Sequence, residues 1–402
     1  MSSIYNKFRI FLSYIIKLDG WKRLFSLDSL LKICFIYSFI VIFLVFIIAD
    51  FPKDFLDRSK NYKKITILSN IDRMGEHQIF KRTMFGCRNL EEFRCLGIHL
   101  PEESIKTIWT RHFYTNAVNI LNFFFKPDFN LLTTHLITMA PMGYNVSYIN
   151  VPYELIIGLD KNFLPYVSFL READAFLDLN YFATGDKFFL EEAIKKNGKK
   201  APVISGILII HQTEYDFAEP KEMILSGSLW GANRGSIRMS EVLRRFGNEG
   251  RLFAYGPERY LQHLEKGYVK NQGLEDMSDK ENIIPLHKKH GISIVVHNFD
   301  HLMGHVPTTR IAESVAAGSI VISDHHPFIQ KHLGDNVLYF DSFKTADEMY
   351  QEINSHLEWI KANPARVKEK TKRAYEIFMQ NFSTEVQIPK IYDAIMQRRP
   401  AV

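Results

Sequence analysis

Between residues 62 and 345 the chain repeats one pattern, a short β-branched run, a polar loop and then a stretch with helical spacing. Strands separated by helices pair in parallel, because a right-handed crossover needs the intervening helix. The pattern therefore specifies an α/β fold. Strands are expected at 64–69 (KITILS), 129–135 (FNLLTTH), 145–151 and 175–179. After 202–210 (PVISGILII) a second series begins, at 223–229 (MILSGSL), 251–256 (RLFAYG), 292–297 (ISIVVH) and 319–324 (SIVISD). Helices are expected over 116–125, which Pro127 must end, around 237–246, and through 346–379. The charges of that last stretch place it on the outside or carry it back to the first half.

A chain of 402 residues exceeds the size at which one core keeps growing. The pattern restarts after the polar run HQTEYDFAEP, which sets a boundary near Glu219-Pro220. We expect two Rossmann-like lobes facing a cleft, 62–219 and 220–402, the second carrying the C-terminal helices, behind an N-terminal segment 1–61. The 50 basic and 45 acidic residues leave a formal charge of +5, too small and too dispersed for a nucleic-acid partner. Of the three cysteines, Cys34 lies in an apolar run and leaves Cys87 and Cys95 as the one conceivable pair. Neither a disulfide framework nor a clustered metal site follows.

Residues 33–49 (ICFIYSFIVIFLVFIIA) carry no charge and, with Leu30, Leu31 and Phe51, approach the roughly 20 residues that span a bilayer core. The expectation is a single transmembrane helix over about 31–51, since Asp50-Phe51-Pro52 stands where a signal peptide needs small residues. Basic residues flank it on both sides, Lys7, Arg9, Lys17, Lys22, Arg23 and Lys32 before, Lys53, Arg58, Lys60, Lys63 and Lys64 after, so charge does not orient it. The sequon Asn145-Val146-Ser147 sits in a strand-like segment, a poor glycosylation site. That favours a cytosolic main part, with a lumenal, type II arrangement as the alternative.

Ligands of parallel sheets bind beyond the carboxyl ends of strands, where helix N-termini gather. After ISIVVH comes such a loop, NFDHLMGHVPTTR, with Pro307 placed in the first turn of the helix TTRIAESVAAG. At 3.6 residues per turn Arg310, Glu313, Ser314 and Ala317 share one face and Ile311, Ala312, Val315 and Ala316 the other. The apolar face is expected to pack and the polar face to look out. An arginine beside a helix N-terminus suits a diphosphate, and a glutamate one turn on can accept both hydroxyls of a ribose. An Arg310–Glu313 ion pair on a solvated face is the plainer alternative.

The run 304–341 (GHVPTTRIAESVAAGSIVISDHHPFIQKHLGDNVLYFD) resembles the donor-binding segment of GT-B glycosyltransferases, the group 1 and spore-maturation-protein-like branch in particular. Weaker likenesses lie in KPD-FNLLTTH, ADAFLDLN, the 203–220 connection and SGSLWGANRGS, which resembles the start of the family's second lobe. The resemblance implies a second lobe that binds a nucleotide sugar through Glu313 at the ribose and Arg310 at the diphosphate, with Thr309, Ser314 and His297 beside them. It implies a first lobe that takes the acceptor. The family's E-x7-E motif has His305 in place of its first glutamate, which makes His305 a candidate at the sugar. Arg234 is a second basic candidate or a surface residue of a turn, and Trp230 a stacking or a core residue. His135 is a candidate base for the acceptor hydroxyl, or a buried hydrogen-bonded histidine. His297, His301, His305, His325 and His326 gather near one edge but match no zinc spacing, so no metal and no cofactor is expected. The implied enzyme is a membrane-anchored glycosyltransferase acting on a glycan or lipid-linked acceptor. A nucleotide-sugar epimerase and a non-catalytic tethered binding protein of the same architecture are the alternatives.

Overall fold

The computed structural model describes residues 49–52, 61–70, 74–100, 115, 117–119, 121–123, 125–133, 141–149, 173–196, 198–227, 233, 235–256 and 283–400. Residues 50–402 group as one compact unit. The span expected at 31–51 lies outside the described residues up to residue 48, and its end, Ala49–Asp50, is extended. Among the described residues no helix is long and apolar enough to cross a membrane.

Six strands of three or more residues form the first sheet: β1 (Lys63–Asn70), β2 (Phe93–Leu100), β3 (Phe129–Leu132), β4 (Asn145–Ile149), β5 (Ala175–Asp178) and β6 (Val203–Ser205). They run parallel in the order β2-β1-β3-β4-β5-β6. β3 to β5 are buried at every position, so apolar residues fall on both faces of each, and Asn130, Asn145, Ser147 and Asp178 are buried with them. Asn145 is buried in β4 and donates to the carbonyls of Pro141 and Gly143, as expected of a poor glycosylation acceptor. The helix α1 (Met74–Arg88) crosses from β1 to β2, and Cys87 on it is bonded to Cys95 on β2, with Cα atoms 6.2 Å apart. β2 has no counterpart among the expected strands, because its run FRCLGIHL breaks apolar continuity with Arg94 and Gly97.

The second sheet comprises β7 (Glu222–Ser226), β8 (Leu252–Tyr255), β9 (Gly291–Val295), β10 (Ile320–Asp324) and β11 (Leu338–Phe340). It is parallel throughout, in the order β11-β10-β9-β7-β8. The first lobe also holds α2 (Leu179–Thr184) and α3 (Phe188–Lys196), and the helices of the second are α4 (Ile237–Asn248), α5 (Ile283–His290), the short α6 (Phe299–Met303), α7 (Thr309–Ala316) and α8 (Pro327–Leu333). The helical stretch expected through 346–379 is two helices, α9 (Ala346–Ala362) and α10 (Pro364–Phe382), because Pro364 has no N–H to continue the ladder. A last helix, α11 (Thr384–Arg398), returns to the first lobe and packs on α1. There Tyr392 donates to Asp128 at 2.8 Å and Asn89 to Glu385 at 2.8 Å. Gly86 of α1 is the contact point, since a Cβ there would overlap the Thr384 side chain.

One buried cluster joins the lobes. Ile79, Phe80 and Met84 of α1, Ile207 to Ile210, the apolar face of α7 and the rings Phe378, Phe382 and Tyr392 all belong to it. A second cluster, with Phe246, Met349 and Ile353, lies on the other face of the second sheet.

Candidate functional site

In the second sheet β7 has β8 on one side and β9 on the other, so the chain order reverses between β7 and β9. Crevices at such switch points, beyond the carboxyl ends of the strands, are where open α/β sheets take ligands. Here β7 delivers Ser226 and Gly227, β9 delivers Val296, His297 and Asn298, and β10 delivers Asp324. Gly227 has φ +95, and a Cβ on it would come within 2.9 Å of the Arg310 Nε. Only a glycine lets that loop lie against the guanidinium in this conformation.

His297 and Asp324 form the centre. The Asp324 carboxylate accepts from the His297 backbone N–H at 2.9 Å and from Nδ1 at 2.6 Å, and both side chains are fully buried. Asn233 donates to the His297 carbonyl at 3.1 Å and holds the same turn. Because the Asp324 carboxylate accepts from Nδ1, the imidazole proton sits there and His297 presents Nε2 as a bare lone pair, and that atom has no partner. The His326 ring lies tilted against that of His297, with ring centroids 4.2 Å apart. Its Nε2 lies 3.2 Å from the carbonyls of both His301 and Val306, so it is the donor, and its Nδ1 is a second unpartnered acceptor. His301 donates from Nδ1 to Val306 at 2.9 Å. Burial pushes His297 down to about 3 and His301 to about 4, and takes His326 well below its usual value. Burial pushes the Asp324 carboxyl the other way, up to about 7, against the hydrogen bond from His297.

Two further buried atoms at this edge lack partners, Asn298 Nδ2 and Thr308 Oγ1. Asn298 caps α6 through its oxygen, accepting from the His301 N–H, which leaves its amide donors unused. Thr308 is the N-cap residue of α7 yet makes no side-chain cap bond. An unpaired buried polar atom costs about 1–3 kcal/mol. Two of the four, Asn298 Nδ2 and Thr308 Oγ1, can donate, and at a helix N-terminus beside an arginine they suit a polar, anionic ligand.

The expected outward face of α7 is corrected. Glu313 and Ser314 are buried, because α7 is covered on both sides, by α5 and by the shared core. Glu313 accepts at 2.7 Å from Arg82 of α1, so its ion pair crosses between the lobes and Arg310 is not its partner. Ser314 turns to His287 of α5, at 3.4 Å, and so faces the lobe interior and not the crevice. Arg310 is half-buried and donates to the Val296 carbonyl at 3.3 Å; burial lowers its guanidinium to about 10. Thr309 is half-buried in the first turn. Pro307 precedes the Thr308 cap, so the helix starts later than its position suggested, while Gly318, at φ +68, follows the helix end as expected. His305 is exposed in the turn before α7, at φ 55, outside the buried group. His135, Arg234 and Trp230 lie outside the described residues.

Arg82, Thr308 and Asn298 carried no local signal in the sequence, and the pairing of Asp324 with His297 follows only once β9 and β10 are known to be neighbours. Among the described residues no group of three or more His, Cys, Asp or Glu could hold a metal ion.

Behind the crevice His287 is fully buried among serines, at 3.0 Å from Ser226 and 2.7 Å from Ser293. Burial lowers it from 6.5 to about 4. A histidine depressed in the folded state stabilises the fold fully above its unfolded value and loses that contribution as pH falls toward the folded one. Urea-unfolding midpoints should therefore drop between pH 6.5 and about 4. The deficit of His287→Gln against the native protein should shrink across that window. A constant deficit would show that His287 is not the titrating group.

No family model matches the chain, and no curated protein matches it. Solved structures do. A glycosyltransferase from Rickettsia africae ESF-5 superposes with a TM-score of 0.50 at 13% identity, covering 85% of this chain and 100% of that one. The sucrose-phosphate synthase of Thermosynechococcus elongatus matches with 0.52 at 11%, covering 84% and 100%. The trehalose-6-phosphate structure from E. coli bound with UDP-2-fluoro glucose gives 0.52 at 10%, again covering 84% and 100%. At such identities the likeness is one of fold. The chain has the GT-B fold of two parallel sheets, as the sequence implied. None of the three bears on the spore-maturation branch.

Proposed function

We propose that this protein is a glycosyltransferase that moves a sugar from a nucleoside diphosphate donor, bound in the second lobe, to an acceptor bound by the first. The observation that carries the reading is the pair of unpartnered buried donors at the switch point, Thr308 Oγ1 and Asn298 Nδ2, beside Arg310 and the α7 N-terminus. That set offers a cation, helix amides and hydrogen-bonding side chains to a diphosphate. In the reading Arg310, Thr309 and the α7 amides hold the phosphates, with Arg234 as a second cation. Glu313 receives the ribose on lone pairs that Arg82 does not use, His297 sits against the diphosphate, His305 borders the sugar, and His135 takes the acceptor proton. Arg310 and the helix dipole carry the leaving charge without a metal ion. The apolar run 33–49 anchors the chain to a membrane with the enzyme on the cytosolic side, and the acceptor is a glycan or a lipid-linked molecule.

A thermal-shift series of the full chain with UDP, GDP and ADP tests it, followed by sugar release from the corresponding donors with and without EDTA. One nucleotide should stabilise the protein, and chelation should leave transfer unchanged. Arg310→Ala removes a charge-assisted contact of about 1.5–3 kcal/mol, a roughly tenfold to hundredfold loss of affinity. Unchanged nucleotide affinity in Arg310→Ala and Glu313→Gln would place the site elsewhere. Interconversion of the donor sugar without acceptor would make the protein an epimerase, and binding without turnover a tethered binding module.

A further inference from the structure

Resting on the donor-site reading, the geometry points to a specific chemical task for the His297–Asp324 pair: we infer that His297 binds the donor diphosphate through a proton taken up at Nε2 and returns that proton to the departing nucleotide.

The chain of causes begins with the tautomer. Asp324 is an acceptor for the His297 backbone N–H and for Nδ1, so the imidazole proton sits on Nδ1 and the lone pair on Nε2. A lone pair repels a phosphate oxygen, whereas an N–H donates to it. Free, the imidazole is neutral, because burial holds it down to about 3. The groups that face it are His301 from α6, His326 at the head of α8, Arg310 from α7 and Asp324 from β10. Two are neutral imidazoles, Arg310 opposes a second positive charge and Asp324 favours it. A diphosphate entering this set brings negative charge into a site of low dielectric, where it acts strongly on a nearby titratable group. Nε2 then takes a proton from solvent and becomes a donor. In the transfer step the sugar–phosphate C–O bond breaks and its electron pair stays on the phosphate oxygen. The acceptor oxygen bonds to the anomeric carbon and releases its own proton to His135, the base of the donor-site reading. The Nε2 proton passes to the diphosphate, which restores the Nδ1–H tautomer. Asp324 acts as the positioning residue, since it fixes which nitrogen is free.

Calorimetric titration of the full chain with UDP, GDP and ADP, in buffers of different ionisation enthalpy, reads the proton directly. At about pH 8 the terminal phosphate, with a second pKa of about 6, is already ionised and contributes none. The binding nucleotide should take up about one proton, and its Kd should rise about tenfold per pH unit up to the pKa of the bound imidazolium and level off above it. His297→Gln, which keeps a polar end at the Nε2 position, should bind with no uptake. Asp324→Asn can donate to Nδ1 and so moves the resting proton to Nε2; uptake should fall there too, with circular dichroism confirming that both variants fold. Binding by the native protein without uptake overturns the inference and leaves the donor-site reading intact, and so does uptake that persists in His297→Gln. No binding of any of the three nucleotides overturns both.

Discussion

Replacing Arg82 by methionine is expected to be among the most damaging single substitutions in this chain, lowering stability by about 3–5 kcal/mol. Arg82 and Glu313 are 231 positions apart, stand at 6% and 4% side-chain exposure, and meet at 2.7 Å. The guanidinium also donates to the Ile209 carbonyl at 2.9 Å, just where the chain leaves the first lobe. Removing the arginine strands a carboxylate that is only 4% exposed, and the desolvation of that group is what the number measures. The pair as a whole is worth much less than its breakage suggests, because burying both charges cost nearly what their attraction returned. Arg82→Met combined with Glu313→Leu should accordingly recover most of the loss, short of the unmet Ile209 carbonyl. Urea unfolding of the four proteins gives the coupling. An Arg82→Met that loses only a few tenths of a kcal/mol, or a double variant as weak as the single, would show that Glu313 does not depend on Arg82. The same experiment bears on function, since Glu313 is the proposed ribose ligand and its aim is set from the other lobe.

The fold was legible where burial on both sides of a sheet writes itself as a charge-free run with apolar residues on both faces. Val146 to Ile149, Ile292 to Val295 and Ile320 to Ser323 are strands for that reason, and the parallel order follows from the helices between them. Phe93–Leu100 escaped because Arg94 and Gly97 break the run; Gly97 is there to admit Phe80 and Met84 of α1, a tertiary reason with no local trace. The site divides in the same way. The helix with Arg310 and Glu313, its glycine end and the strands around it follow from spacing. Which way its polar face points does not, because the helical period says that two faces differ and nothing about what covers them. Glu313 and Ser314 met Arg82 and His287, residues with no sequence proximity to α7. Asp324 stood in plain sight at a strand end, but its pairing with His297 depends on β9 and β10 lying side by side.

Gly291→Ala and Gly318→Ala should each destabilise by about 2–5 kcal/mol, the sum of a left-handed backbone for an L-residue, about 1–2, and overpacking, about 1–3. Gly291 opens β9 at φ +76, and a Cβ there would overlap the Glu219 carbonyl and lie 2.8 Å from the Pro220 Cα. Gly318, at φ +68, would meet the Asp216 carbonyl in the same way. These are backbone neighbours and cannot swing aside as a side chain would. They belong to the segment that leads from the first sheet into β7, which is held down beside both glycines, Ala218 N to the Gly318 carbonyl at 3.1 Å and Lys221 N to the His290 carbonyl at 2.9 Å. Gly250 supplies the control: it has φ +70 with nothing within 4 Å of a Cβ, so Gly250→Ala should show the backbone cost alone. Urea midpoints of the three variants separate the two contributions. Equal losses at all three positions would mean that the connection is free to move away. A larger loss at 291 and 318 would mean that it is clamped to the second lobe, so that any opening of the crevice must bend the chain before residue 216.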